Sequence, residues 1–232
     1  MKGSFNKIIV IKNKVFKIEN VADLYSKNIL LSFDCNHKAY YDDLKKLGID
    51  VARLYFDKKI FGKNIEIQEY ISGESLASYM EKKDVSIDDK LNCYKKLLII
   101  YKKTLSSDAA LDLNMKNFII KNGNLVYVDL VPSIYKSKLS QENIDNDEYK
   151  NYYLNKNLAI ANVTNYFLRS IAYLPKEELK IILLKVKIIV KELFDFELDL
   201  SRNKKSDLFV EYIHGNMEYE QYEEQYQIIK RK

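Results

Sequence analysis

Three side chains with oxygen donors occur close together in residues 110–131. Asp112 and Asn117 precede a short run of β-forming residues, and Asp129 follows a second run. Phosphoryl transfer requires a carboxylate near the attacking hydroxyl, and oxygen ligands that hold magnesium against the nucleotide phosphates. These three residues could supply all of those groups. We therefore interpret the segment as a candidate phosphoryl-transfer site.

The residues between Asn117 and Asp129 predict a β-hairpin. Two short β-forming runs, residues 118–120 and 125–128, are separated by a segment that contains an Asn-Gly step at residues 122–123. This step is a strong signal for a tight turn between antiparallel strands. Such a hairpin would bring Asn117, just before the first strand, close to Asp129 at the end of the second.

Asp and Asn also favour turns and strand ends for purely structural reasons. An ordinary strand connection without chemistry is therefore the alternative interpretation of this segment. The functional interpretation is favoured only if other parts of the chain supply the remaining groups in a compatible order.

The order of these residues resembles the catalytic and metal-binding loops of the protein-kinase-like superfamily, where D-x-x-x-x-N precedes a hairpin and an apolar strand that ends in Asp. The similarity is greater to its aminoglycoside phosphotransferase and choline kinase branch, with the pattern H-x-D-x-x-x-x-N followed by I-D. The resemblance implies that Asp112 is the catalytic base and that Asn117 and Asp129 are magnesium ligands. One position departs from the pattern, because Ala110 replaces the His. Leu130 follows the second Asp, so Asp-Phe-Gly is also absent, which the small-molecule branch tolerates better than protein kinases do.

The same resemblance implies a two-lobed α+β fold of the protein-kinase-like type. A small antiparallel β N-lobe would cover residues 1–70 and a helical C-lobe residues 71–232, with ATP and Mg²⁺ as cofactors. The composition agrees with a globular chain, because 232 residues of which 47% are hydrophobic can form a substantial core.

The resemblance assigns several N-terminal residues to the nucleotide. Residues 5–11 and 15–18 predict an antiparallel hairpin, and Lys17 matches the strand lysine that holds the α- and β-phosphates. Gly3 and Ser4, just before the hairpin, match the small-residue turn that covers the phosphates. A solvent-facing strand lysine is the structural alternative for Lys17, because the chain is rich in lysine.

Residues 68–75, with the sequence QEYISGES, resemble the hinge between the lobes. There the carbonyl of Glu69 and the N–H of Ile71 would bind the adenine edge, and Gly73 would permit the turn into the second lobe. Taken alone, the segment is also typical of an ordinary strand-to-helix loop.

The acid that pairs with the strand lysine is not fixed by the sequence. Residues 40–49 resemble the end of the kinase helix that carries this acid as a Glu, yet the segment contains none. Glu19, Asp34 and Asp42 are the alternatives.

Periodicity and capping signals predict the helical part of the chain. Ser86 and Asp89 form a capping pattern before a core helix. Residues 145–174 and 175–194 predict two amphipathic helices, the second with a proline in its first turn, and residues 217–232 predict a final helix.

Residues 132–146 are polar and predict an irregular segment on the substrate side of the site. Acidic residues in and after this segment could meet a cationic acceptor, although such a run is also typical of a solvated surface. These acids are Glu142, Asp145, Asp147 and Glu148.

Charge, cysteine content and hydropathy restrict the function classes. The net charge is only +5, with acids and bases mixed along the chain, so we expect no nucleic-acid partner. Cys35 and Cys93 lack metal-ligand spacing and favour a reduced, cytoplasmic setting. We expect no membrane span, because the most apolar segment, residues 181–190, is interrupted by Lys185 and Lys187.

The sequence thus predicts an ATP- and Mg²⁺-dependent phosphotransferase that acts on the hydroxyl of a small-molecule or sugar acceptor. A catalytically degenerate, pseudokinase-like binding or regulatory module is the alternative, which Ala110, the sparse glycine turn and the missing helix Glu favour. A protein kinase is disfavoured because the activation-segment landmarks are missing. The sequence specifies neither the acceptor nor the oligomeric state.

Overall fold

The computed structural model describes residues 7–20, 37–61, 63–130, 133–141, 152–201, 204–215 and 217–231. The chain is a mixed α+β protein with a small antiparallel sheet near the N-terminus and a mostly helical remainder, as predicted at this level. It divides into two compact units. The first comprises Met1–Leu76 and Lys103–Leu154, and the second Ala77–Lys102 and Asn155–Lys232.

The described strands form two antiparallel sheets. They are β1 (Lys7–Ile11), β2 (Lys14–Asn20), β3 (Leu54–Ile60), β4 (Lys63–Glu69), β5 (Glu74–Ser75), β6 (Phe118–Lys121) and β7 (Asn124–Tyr127). The strand order is β1-β2-β4-β3 in the larger sheet and β5-β6-β7 in the smaller one. Strand β2 therefore pairs with β4, which comes much later in the chain.

Both predicted hairpins are confirmed. Strands β1 and β2 pair up to Ile11 and Lys14, and β6 pairs with β7 up to Lys121 and Asn124. In the second turn Asn122 has φ 51° and Gly123 has φ 76°. Positive φ at both central residues is what a type I′ hairpin turn requires, and it explains the Asn-Gly step.

Strand β3 begins at Leu54 and does not include Val51. The backbone near Val51 bonds with β7, because the N–H of Tyr127 donates to the carbonyl of Asp50 (2.8 Å) and the N–H of Ala52 donates to the carbonyl of Tyr127 (2.9 Å). These groups are thus unavailable to the larger sheet. They fix the end of β7 within the first unit.

The described helices are α1 (His37–Lys46), α2 (Leu76–Glu81), α3 (Ile87–Thr104), α4 (Lys136–Gln141), α5 (Lys156–Ser170), α6 (Lys176–Phe194), α7 (Lys204–His214) and α8 (Tyr219–Arg231). The predicted cap of α3 is confirmed, since the N–H of Asp89 donates to the Ser86 hydroxyl (3.1 Å). In the described parts of the chain, no helix is both long and apolar enough to cross a membrane.

Helix α4 corrects the prediction that residues 132–146 are irregular. Its first turn is capped from a distant part of the chain: the N–H and hydroxyl of Ser137 donate to the two carboxylate oxygens of Asp108 at 2.7 and 2.6 Å. A cap satisfies amide groups that lack a partner at the start of a helix. The acidic residues in and after this segment, Glu142, Asp145, Asp147 and Glu148, lie outside the described residues.

Candidate active site

Lys17 is nearly buried in β2, with 7% of its surface exposed. Its ammonium donates to the carbonyl of Val128 (2.8 Å) and lies 3.1 Å from Glu66 Oε1 and 3.7 Å from Asp129 Oδ1. The solvent-facing alternative for Lys17 is therefore wrong. The ammonium connects the larger sheet to the residues that follow β7.

Glu66 is a partner of Lys17 that the sequence analysis did not consider. It lies directly opposite Lys17 in the pairing of β2 with β4 and is almost completely buried. Burial raises the pKa of the Glu66 carboxyl, whereas the charge of Lys17 opposes this rise. Of the acids considered earlier, Asp42 pairs with the exposed Lys38. Asp34 and the side chain of Glu19 are outside the described part of the structure.

His37 and Asp57 form a second pair near Glu66. His37, the first residue of α1, is buried, and its Nδ1 lies 2.9 Å from Asp57 Oδ1 on β3. The His37 ring also lowers the pKa of Glu66 when it carries a charge, although less than Lys17 does. Glu66 thus lies near a lysine from a strand and a histidine from a helix.

Asp112 is held at the start of the loop that precedes β6. Its Oδ1 accepts a hydrogen bond from the N–H of Asn114 (2.9 Å). Burial raises the pKa of Asp112 to about 6; the charge of Asp129 adds to this rise, and the Asn114 N–H and the Asn117 side chain oppose it. The carboxyl is therefore mainly ionised at neutral pH and more basic than an ordinary aspartate.

Ala110 is anchored although the His of the resemblance is missing. Its N–H donates to the carbonyl of Ile134 (2.9 Å), and its own carbonyl accepts a hydrogen bond from the hydroxyl of the fully buried Tyr40 (2.5 Å). Burial raises the pKa of Tyr40 well above its ordinary value, and the charges of Asp129 and Asp112 add to this effect. Tyr40 thus stays a neutral donor that fixes the backbone two residues before Asp112.

Asn117 and Asp129 are brought together as the hairpin prediction required. Asn117 ends a short 3-10 turn, and its carbonyl accepts a hydrogen bond from the N–H of Val128 (2.9 Å). This bond extends the pairing of β6 with β7 by one residue pair beyond Phe118 and Tyr127. It places Asn117 opposite Val128, the residue before Asp129. The Asn117 side chain also lies close to Asp112, where it lowers the pKa of that carboxyl.

Asn117 and Asp129 fit a magnesium ion only if a substrate supplies further oxygen ligands. Magnesium is commonly held by one or two carboxylates together with phosphate oxygens. The negative charge of Asp129 raises the pKa of Asp112. A cation bound near both carboxylates would reduce this repulsion. No group of three or more His, Cys, Asp or Glu that could hold a metal occurs in the described ranges. The protein would thus supply only some of the magnesium ligands, and the phosphates of a bound substrate would supply others.

Of the hinge residues, Glu69 is the last residue of β4 and Ile71 lies two residues beyond it. The N–H of Glu69 donates to the carbonyl of Arg53 (2.8 Å), and the N–H of Tyr70 donates to the carbonyl of Asn13 (2.8 Å). A cavity of about 280 Å³ lies beside them. It is lined by Asp50, Val51, Glu69, Ile71, Lys121, Asn122, Asn124 and Val126.

The structure therefore brings together four of the predicted site residues: Lys17, Asp112, Asn117 and Asp129. The cavity at the hinge is separate from this group, because none of the four lines it. Gly3 and Ser4, the predicted phosphate-covering residues, lie outside the described residues.

A local signal for the missed Glu66 exists in β4. Glu66 and Gln68 alternate with Ile65 and Ile67, and alternate residues of a strand point to opposite faces. When polar and apolar residues alternate along a strand, the polar face is normally predicted to be exposed to solvent. Here both polar residues are buried, and Glu66 pairs with Lys17 on the same face of the sheet.

No protein-family model matches the chain. No curated protein matches it either.

Proposed function

We propose that the protein is an ATP- and Mg²⁺-dependent phosphotransferase that acts on the hydroxyl of a small-molecule or sugar acceptor, with a two-lobed, protein-kinase-like fold. The observation that carries the proposal is the position of the Lys17 ammonium, 3.7 Å from Asp129 and bonded to the carbonyl of Val128. The same Val128 bonds to Asn117 through its N–H. A cation and two oxygen ligands for a phosphate-bound metal thus converge in one compact unit.

Asp112 is the general base in this proposal. A base works best when its pKa is near the working pH, and burial raises the pKa of Asp112 to about 6. Asp112 accepts the proton of the acceptor hydroxyl as that oxygen forms a bond to the terminal phosphorus. The bond between this phosphorus and the leaving ADP oxygen breaks in the same transfer, so that charge and protons balance.

Lys17, Asn117 and Asp129 bind and orient the nucleotide. Magnesium, when bound, neutralises charge on the transferred phosphoryl group. The Asn117 and Asp129 side chains hold that ion, and Lys17 holds the phosphates as a point charge. Positioning and electrostatic stabilisation are the main contributions of a protein to phosphoryl transfer.

A thermal-shift measurement with ATP, with and without magnesium, tests the proposal. We expect stabilisation that requires both, on the order of 3 kcal/mol at a hundredfold excess over Kd. Asp129→Ala should abolish it, whereas Asp88→Ala, which removes an exposed acid on α3, should not. The absence of any shift in the parent protein at saturating nucleotide would contradict the nucleotide site.

A binding or regulatory module is the second candidate, and Ala110 favours it. Ala110 packs in a buried apolar cluster with Ile134, Leu139 and Tyr153. At the position where the kinase-like pattern has a His, this chain therefore has a residue that contributes to packing. Turnover separates the candidates: an enzyme transfers phosphate to an acceptor, and Asp112→Asn abolishes transfer while nucleotide binding remains. Magnesium-dependent binding without turnover on any hydroxyl acceptor would favour the module.

A further inference from the structure

Helix α6 is apolar on two opposite faces. One face is buried in the second unit through Leu179, Ile182, Leu183, Val186, Val190 and Phe194. On the other face, Ile181, Leu184 and Ile188 are 59%, 60% and 49% exposed. A helix on the surface of a protein normally has one apolar stripe and a polar opposite face. The second apolar face of α6 therefore calls for a partner.

The exposed residues follow the spacing of a coiled-coil seam. Glu177, Ile181, Leu184, Ile188 and Lys191 are all exposed and succeed one another at intervals of four, three, four and three residues. This is the alternation of a and d positions in a heptad repeat, which places side chains in one line for packing against another helix. We call these five residues the α6 seam.

We infer that the α6 seam binds the α6 seam of a second copy of this chain, antiparallel, around a twofold axis at Leu184. Glu177 ends the seam on one side and Lys191 on the other, each seven residues from Leu184. In the antiparallel arrangement Glu177 faces Lys191 of the second copy, and Ile181 lies near Ile188. A parallel arrangement would instead place Glu against Glu and Lys against Lys, which is unfavourable. The charged ends of the seam are thus complementary in the antiparallel direction only.

The present partners of the two charged residues do not prevent this contact. Glu177 lies 2.7 Å from Lys180, and Lys191 lies 3.2 Å from Glu197, in pairs that are largely solvent-exposed. Exposed ion pairs contribute little to stability. They can therefore be exchanged for pairs across the interface at small cost.

The size of the seam predicts a weak dimer. One pair of helices that meet over about four turns buries roughly 1,000 Å² in total, which is at the lower end for specific interfaces. We therefore expect dissociation in the micromolar range rather than an obligate assembly. The inference is independent of the proposed function, because every seam residue lies in the second unit.

Sedimentation over a concentration series tests the inference. We expect the full chain to change from monomer to dimer, and Leu184→Glu to weaken association about 100-fold or more, since two leucines leave the interface. Leu184 is largely exposed, so this variant should keep the parent's circular dichroism spectrum and melting temperature. Ile228→Glu is the matched control on α8, where Ile228 is 50% exposed, and it should associate like the parent.

Charge reversal tests the direction of packing. Glu177→Lys and Lys191→Glu should each weaken the dimer, because each variant places like charges at both ends of the seam. An equimolar mixture of the two variants, or the double variant in one chain, should restore association. A parent chain that remains monomeric up to about 1 mM, or a dimer that Leu184→Glu leaves intact, would overturn the inference. Single reversals that do not weaken the dimer would overturn the antiparallel arrangement.

Discussion

Lys17 and Glu66 face each other across two neighbouring antiparallel strands, with Lys17 Nζ 3.1 Å from Glu66 Oε1. The two side chains are only 8% and 2% exposed. Because both partners belong to the sheet, the position of the ammonium does not depend on an acid from a helix. Removing one partner of a buried ion pair leaves an uncompensated charge, which is strongly destabilising.

We expect Glu66→Gln to lower the free energy of unfolding by about 2–4 kcal/mol, because Lys17 then keeps its charge without this carboxylate. Urea denaturation measures the change. Glu69→Gln is the matched control on the same strand: its carboxylate lies 3.5 Å from the exposed Lys121, and we expect a loss below about 1 kcal/mol. Equal losses in both variants would contradict a special role of the buried pair.

We expect Asp112→Asn to stabilise the metal-free protein at pH 7–8, by on the order of 1–3 kcal/mol, while it removes the proposed base. Folding raises the pKa of Asp112 from 3.8 to about 6, so the folded state binds more protons between these values. The stability contribution of this carboxyl therefore falls as pH rises through that window and is constant above it.

Unfolding curves between pH 4 and pH 8 in the presence of a chelator measure this difference. The parent and Asp112→Asn should approach each other in stability at the acidic end and diverge towards neutral pH. Asp88→Asn, at an exposed position on α3, should follow the parent throughout. A variant that is less stable than the parent at pH 8 would show that the ionised Asp112 carboxylate stabilises the fold.

The parts of the site that depend on neighbouring residues could be predicted from the sequence. The Asn122–Gly123 turn and the apolar runs beside it specify a hairpin locally, and the hairpin alone brings Asn117 close to Asp129. The same holds for the Ser86 cap, which acts within one helical turn.

The parts that depend on distant pairing could not be predicted in this way. Lys17 meets Glu66 because β2 pairs with β4, although β3 lies between them in the sequence. Helix α4 is capped by Asp108, 29 residues before Ser137, and a local pattern does not contain that contact. A strand partner or a cap that is far along the chain follows only from the complete arrangement.

We expect Gly73→Ala to destabilise the protein by about 3 kcal/mol or more. A Cβ at this position would lie 2.3 Å from the carbonyl oxygen of Ile120 and 2.9 Å from the side chain of Ile119, so β5 could no longer pair with β6. Gly123→Ala is the control, because Gly123 has a positive φ but no atom within 4 Å of its Cβ position. Its cost should be only about 1–2 kcal/mol, and thermal unfolding of both variants separates steric overlap from backbone strain.

We expect Ala110→His, which restores the residue of the kinase-like pattern, to lower stability by about 1–3 kcal/mol without raising activity. Ala110 is 3% exposed and packs against Ile134, Leu139 and Tyr153, so a larger ring overfills the cluster. Ala110→Ser adds one atom and should cost less. A more active and equally stable histidine variant would instead mean that the missing His limits catalysis.

The first unit is built from two stretches of chain with Ala77–Lys102 between them. The bond from Lys17 to Val128 joins residues 111 positions apart. During synthesis from the N-terminus, all four strands of the larger sheet are therefore made before Asp112, Asn117 and Asp129. Such long-range contacts slow folding, because loop closure must precede the gain from the contact. Until then a nascent chain carries Lys17 and Glu66 without the loop that completes the candidate site, and that site is among the last features of the unit to form.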